Sequence, residues 1–127
     1  MWQDGNMVGR FRIGSLDVTL TAGEIRRIVR LDWLHSVPGL PQGINGLVEC
    51  DGEFVPLVSS SLVVSEDVDL TTNGRCAVIA LHEDEPFAFS IDDVLALDED
   101  VPDELDTIHI DCASIWKRIY ELNGVKH

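Results

Sequence analysis

The residues that could do chemistry in this chain are few, and their spacing is poor. His109-x-Asp111-Cys112 is the densest group. In an extended strand His109 and Asp111 would share one face and offer a ring nitrogen and a carboxylate together. Two ligands do not make a metal site, since zinc takes at least three from the protein, and His82 is remote in sequence. The run Asp98-Glu99-Asp100-Val101-Pro102-Asp103-Glu104 is rich in oxygen donors. It lacks the central glycine and the terminal glutamate spacing of an EF-hand, so it reads as a solvated loop. Ser59-Ser60-Ser61 has no Gly-x-Ser-x-Gly frame around it, and the glycines never fall into a phosphate-cradling pattern. These groups do not assemble an enzyme, and they imply neither a metal nor a cofactor.

Composition points to a single soluble globular domain. The 127 residues are 45% apolar, enough for a real core. No stretch approaches eighteen uncharged apolar residues, and Met1-Trp2-Gln3-Asp4-Gly5 begins neither a basic nor an apolar leader, so the expected place is the cytoplasm, without membrane insertion. Cys50, Cys76 and Cys112 are odd in number and have no second cysteine at metal-ligand spacing, which suits buried free thiols. With 23 acidic against 9 basic side chains the formal charge is −14, which repels a phosphate backbone and argues against nucleic acid. The charge is also uneven. No lysine or arginine lies between Arg75 and Lys117, while Arg10, Arg12, Arg26, Arg27 and Arg30 cluster early.

The elements that would have to position any site are short and strand-like. Arg10 to Ile13 and Leu16 to Leu20 flank Gly14-Ser15 and read as a hairpin, the second run alternating apolar with polar. Glu24 to Leu31 mixes helical spacing with β-branched content and reads as a short helical turn running into a strand. Gly43 to Cys50 and Glu53 to Val58 flank Asp51-Gly52, a strong hairpin signal. Pro56 cannot donate to a ladder, so it is expected on an edge or at a bulge. Arg75 to Leu81 and Pro86 to Ile91 form another hairpin across the acidic turn from His82 to Glu85. After a last strand, Thr107 to Ile110, Asp111 or Ser114 can cap a helix whose Ile115, Ile119 and Leu122 share a face and which Asn123-Gly124 stops. Trp2, Trp33 and Trp116 are taken as packing residues, with Trp33 a candidate exposed anchor.

This order of elements resembles the CheW family, the adaptor domains of bacterial chemotaxis arrays, over most of the chain. Ile13-Gly14 matches the family's first hairpin turn, and Gly46 to Val58 fits its glycine, leucine, glycine, proline frame. Ala88-Phe89-Ser90-Ile91-Asp92-Asp93-Val94-Leu95-Ala96-Leu97 echoes a later signature, and Ile108 to Leu122 is similar to the family's ending. Two departures stand out. Asp51 occupies the place where the family usually has arginine, and Asp98 to Asp106 leads directly into the last strand where the family has a further strand and turn.

The resemblance implies a mostly β fold: two five-stranded SH3-like β-barrels, the second trimmed by a strand, over roughly 14–70 and 71–110, with a C-terminal helix at about 112–123. It implies a non-enzymatic scaffold that docks the regulatory domain of a CheA-type histidine kinase on one barrel edge and takes the tip of a chemoreceptor in a groove. By position the partner-binding residues are Ile44, Gly46, Leu47, Asp51, Gly52, Val55, Pro56 and Leu57. The alternatives are a divergent member with altered partners, as in surface or pilus motility, and a small ligand- or calcium-binding sensor.

Overall fold

A computed structural model of the chain describes residues 7–31, 34–35, 37–64, 76–100 and 107–124, the side chains of 98–100 excepted. Along the chain run β1 (Met7–Ile13), β2 (Leu16–Thr21), a single 3-10 turn (Ala22–Glu24), β3 (Ile25–Arg30), β4 (Leu34–His35), β5 (Ile44–Cys50) and β6 (Glu53–Val58). Then follow α1 (Ser60–Val64), β7 (Cys76–His82), β8 (Glu85–Ile91), β9 (Asp93–Asp100), β10 (Thr107–His109) and α2 (Cys112–Leu122). The fold is thus mostly β with a C-terminal helix. Its described strands divide four and six, in the orders β10-β2-β1-β9 and β3-β7-β8-β6-β5-β4, where the resemblance implies two five-stranded barrels, the second short of a strand.

The division follows from two crossings between the sheets. The 3-10 turn after β2 carries the chain into the six-stranded sheet, and Asp92 alone separates β8 from β9 and carries it back. That corner is fastened to the first hairpin. The Asp92 carboxylate accepts from the Gly14 amide, and the Asp92 amide donates to the Arg12 carbonyl at 2.8 Å. Gly14 sits at φ +61, a conformation that glycine adopts without a Cβ penalty.

β7 and β8 explain the nearly continuous apolar run seen from Cys76 onward: both are buried on two faces. Val78, Ala80, Phe87, Phe89 and Ile91 point into a main core between the sheets, while Ala77, Ile79 and Ala88 point into a second core within the six-stranded sheet. Phe11 of β1 meets Phe89 edge-on, with centroids 6.4 Å apart, so an aromatic contact joins the sheets at the centre of the main core. Ile115 and Ile119 of α2 and Val63 and Val64 of α1 also pack into it. The second core gathers Val48, Cys50, Val55 and Leu57 from β5 and β6, with Val29 and Leu31 against them. β3 is first in the sheet order and β5 fifth, so shared burial means that the sheet curls on itself.

Four expectations need revising. β6 is an interior strand, not an edge; Pro56 is tolerated because it faces Leu47 on one side, and pairing with β8 begins only at Leu57. Asp98–Asp100 are the end of β9, paired with Met7 and Val8, and a charged end suits the outermost strand of its sheet. The rest of that acidic run lies outside the described residues, as do Trp2 and Trp33. The last strand stops at His109. Leu122 is 47% exposed, because the core-facing stripe of α2 ends at Ile119. Its methyls instead cover Gly43, with Leu62 beside them.

α2 is held at both ends. Asp111 is the N-cap, accepting from the Ala113 amide at 3.1 Å and from the Ser114 hydroxyl at 2.7 Å. Asn123 closes the other end, its amide donating to Ile119 and Gln42 carbonyls and its oxygen accepting from the Gln42 amide. Ile115→Ala should therefore cost about 2–5 kcal/mol of unfolding free energy by urea denaturation, whereas Leu122→Ala should cost less than about 1 kcal/mol. Equal losses would contradict this placement of α2.

Candidate functional site

The densest chemical group of the sequence disperses in the fold. The strand ends before Asp111, which is used as the helix cap, so His109 and Asp111 do not share a strand face. The His109 ring lies 2.9 Å from the Thr19 hydroxyl, beside the parallel pairing of β10 with β2. Cys112 is 2% exposed. Burial, and then the neighbouring Glu24 carboxylate, push its thiol up from 9.0 to about 12, against the lowering expected of a helix N-terminus. A thiol so hard to ionise is no nucleophile at neutral pH. His82 is engaged by Glu24 at 2.7 Å, and no three His, Cys, Asp or Glu side chains among the described residues are placed to hold a metal ion. The Ser60 hydroxyl bonds the Ser90 carbonyl at 3.4 Å, a structural task.

What remains is a surface, and the β5–β6 hairpin builds it. Asp51 and Gly52 have φ of +52 and +81, the paired left-handed conformation of a two-residue turn whose twist matches its strands. The turn sets the register Cys50↔Glu53, Glu49↔Phe54, Val48↔Val55 and Leu47↔Pro56. Since side chains alternate, Val48, Cys50, Val55 and Leu57 point inward and Leu47, Glu49, Phe54 and Pro56 outward. β4 adds His35, paired with Leu47. Gly46 is what lets β4 approach: a Cβ there would lie 2.8 Å from a Leu34 methyl carbon and 2.9 Å from the His35 carbonyl oxygen.

The eight residues expected at the site therefore separate. Val55 and Leu57 are 1% and 3% exposed and belong to the second core, so their side chains are closed to a partner. Gly46 serves strand packing, and Ile44 leans on the main core. Leu47 and Pro56 sit side by side on the outer face, with Asp51 and Gly52 exposed at its tip. Sequence reasoning missed Phe54, which at 57% is the most exposed large apolar side chain among the described residues, and its neighbours His35 and Glu49. Alternation counted back from a buried Val55 would have turned Phe54 outward.

Electrostatically the tip is a clasp. Asp51 accepts from Arg27 Nη1 at 2.7 Å, and Glu53 lies 3.6 Å from Arg26. Hydrogen bonding to Asp51 and the charge of Asp51 raise the Arg27 pKa further above its ordinary value. Both pairs are solvent-exposed, where ion pairs add little stability, but they fix where the hairpin tip lies relative to β3. The His35 ring stands edge-on to Phe54, with centroids 5.3 Å apart, and its Nε2 is 3.6 Å from Glu49.

The buried Cys112 thiol has a pH consequence. Its folded pKa lies above its unfolded one, so its contribution to stability is whole below pH 9 and drains as the pH climbs toward 12. Urea midpoints of the wild type should fall across that interval, and Cys112→Ala should show a shallower fall. Parallel curves would remove Cys112 as the cause.

Comparison with known proteins agrees with this architecture. The family model for the CheW-like domain matches residues 8–124. Among solved structures, the scaffolding protein TtCheW from Thermoanaerobacter tengcongensis superposes with a TM-score of 0.69 over 89% of this chain and 93% of that one, at 12% identity, a likeness of fold. No curated protein sequence matches. The family match spans almost all of the described strands and α2, and the chain belongs to the CheW-like domain family.

Proposed function

We propose that this chain is a non-enzymatic adaptor that couples chemoreceptors to a CheA-type histidine kinase in a cytoplasmic, chemotaxis-type signalling pathway. The observation that carries this reading is the outer face of β4, β5 and β6, where Leu47, Phe54 and Pro56 stand together at the surface of a CheW-like domain. An exposed aromatic among half-buried apolar side chains with charged neighbours has the make-up of a docking surface. Mechanistically, such an adaptor works by differential contact: a receptor state that changes the fit shifts the kinase between its own states by the difference in binding free energy. No group in the chain needs to react for that to happen.

A second reading, a member with altered partners, is favoured by Asp51. The turn tip carries a carboxylate already engaged by Arg27, so the surface offered there is a balanced pair of charges and not a lone cation. A kinase that expects a free guanidinium at the turn would be excluded, and one with a mixed rim would be admitted.

Pull-down with the regulatory domain of the kinase and with receptor cytoplasmic fragments from the same cell tests both readings. Binding to the two at micromolar concentration is expected, and binding to neither would sink the adaptor. Asp51→Arg is expected to weaken kinase binding, because it sets two guanidinium groups together and opens the clasp. Exchange of the pair, Arg27→Asp with Asp51→Arg, restores the clasp with its charges reversed. If the exchange recovers binding, the clasp matters as geometry; if it binds as poorly as Asp51→Arg, the direction of the charges sets partner choice.

A further inference from the structure

Glu49 and Phe54 are directly opposite one another on the outer face of the hairpin, so a carboxylate and an aromatic ring stand one strand spacing apart. The two other carboxylates of the tip are committed, Asp51 to Arg27 and Glu53 to Arg26. Among the described residues the charged neighbour of Glu49 is His35, at 3.6 Å, and the Glu49 side chain is half exposed. The His35 ring meets the Phe54 ring edge-on, and Phe54 remains 57% exposed. Beside them Leu47 and Pro56 extend the apolar floor.

From this juxtaposition we infer that Glu49 and Phe54 form a receiving site for one arginine side chain of the kinase regulatory domain, an inference that rests on the adaptor reading above. A guanidinium is a planar cation with five donors. Lying over the open face of Phe54 it gains a cation–π contact, and from there it reaches the Glu49 carboxylate with one or two charge-assisted hydrogen bonds. Lysine fits less well, since an ammonium is more strongly hydrated and does not stack. A phosphate or a carboxylate of a partner would meet Glu49 with like charge. The site lies on the outer surface of a sheet, a platform for another folded domain, whereas a receptor helix is held by a groove. Specificity for a basic partner face also agrees with the formal charge of −14.

Isothermal titration calorimetry of the full chain against the purified kinase regulatory domain tests the inference. Glu49→Arg is expected to weaken binding by at least about tenfold, and Phe54→Leu by about fivefold, while Phe54→Tyr binds like the wild type. Glu121→Gln, on the exposed face of α2, should change nothing. Substituting kinase surface arginines one at a time by glutamine should reveal one whose loss is not additive with Glu49→Gln. All these positions are exposed, and matched urea midpoints confirm that each variant is folded. If the wild type binds the kinase and both Glu49→Arg and Phe54→Leu bind equally well, or if every arginine is additive with Glu49, the receiving site is refuted and the adaptor stands. If the wild type binds no kinase, the inference falls together with the reading on which it rests.

Discussion

Two cores share one wall, and the molecule depends on it. The β7–β8 hairpin is packed on both faces, with Phe87 and Phe89 directed to one core and Ala88, between them, to the other. Large side chains on one face and a small one on the other allow two hydrophobic volumes to be filled from a single pair of strands. Closely packed interiors tolerate neither voids nor extra methylenes, so the outline of the second core is set by the small residues Ala77 and Ala88 as much as by the valines and leucines facing them. Sheet curvature, hairpin placement and the seat of α2 are all referred to this wall.

The outer face of the β5–β6 hairpin inherits its shape from that arrangement. Val48, Val55 and Leu57 must face inward to fill the second core, and the two-residue turn at Asp51-Gly52 locks the register, so Leu47, Glu49, Phe54 and Pro56 have no choice but to face solvent. The apolar outer residues are thus a by-product of alternation. The Arg27–Asp51 and Arg26–Glu53 pairs are individually weak, yet they join strands that are distant in the sheet order and limit how far the hairpin tip can swing.

Local signals in the sequence were legible, and long-range ones were not. Gly14 and Asp51-Gly52 announce their hairpins because left-handed backbone favours such residues. Glu83 and Asp84 make a turn of the same kind at φ +50 and +66 without glycine, and only the flanking strands betrayed it. The C-terminal helix was readable from its cap and apolar spacing, although Leu122 falls off the buried stripe. The end of β9 reads as a loop in the sequence since its charge outweighs its pattern; its partner, β1, lies more than eighty residues away. The same gap explains the site. Resemblance and position point to eight residues, but burial decides which side chains a partner can touch, and burial of Val55 and Leu57 depends on Ile79 and Ala88 arriving from another part of the chain.

The Asp92 corner has a bearing on the order in which the protein can be made. β1 and β2 are synthesised first, yet their sheet is flanked by β9 and β10, which come after Asp92, and the main core also waits for Ile115 and Ile119. Strands of the six-stranded sheet, by contrast, all precede that corner. Such non-local pairing slows folding, because loop-closure entropy is lost before contacts compensate it. On the ribosome, then, the β5–β6 hairpin can reach its neighbours while the β1–β2 hairpin still waits for β9 and β10, and the domain is completed from its middle outward.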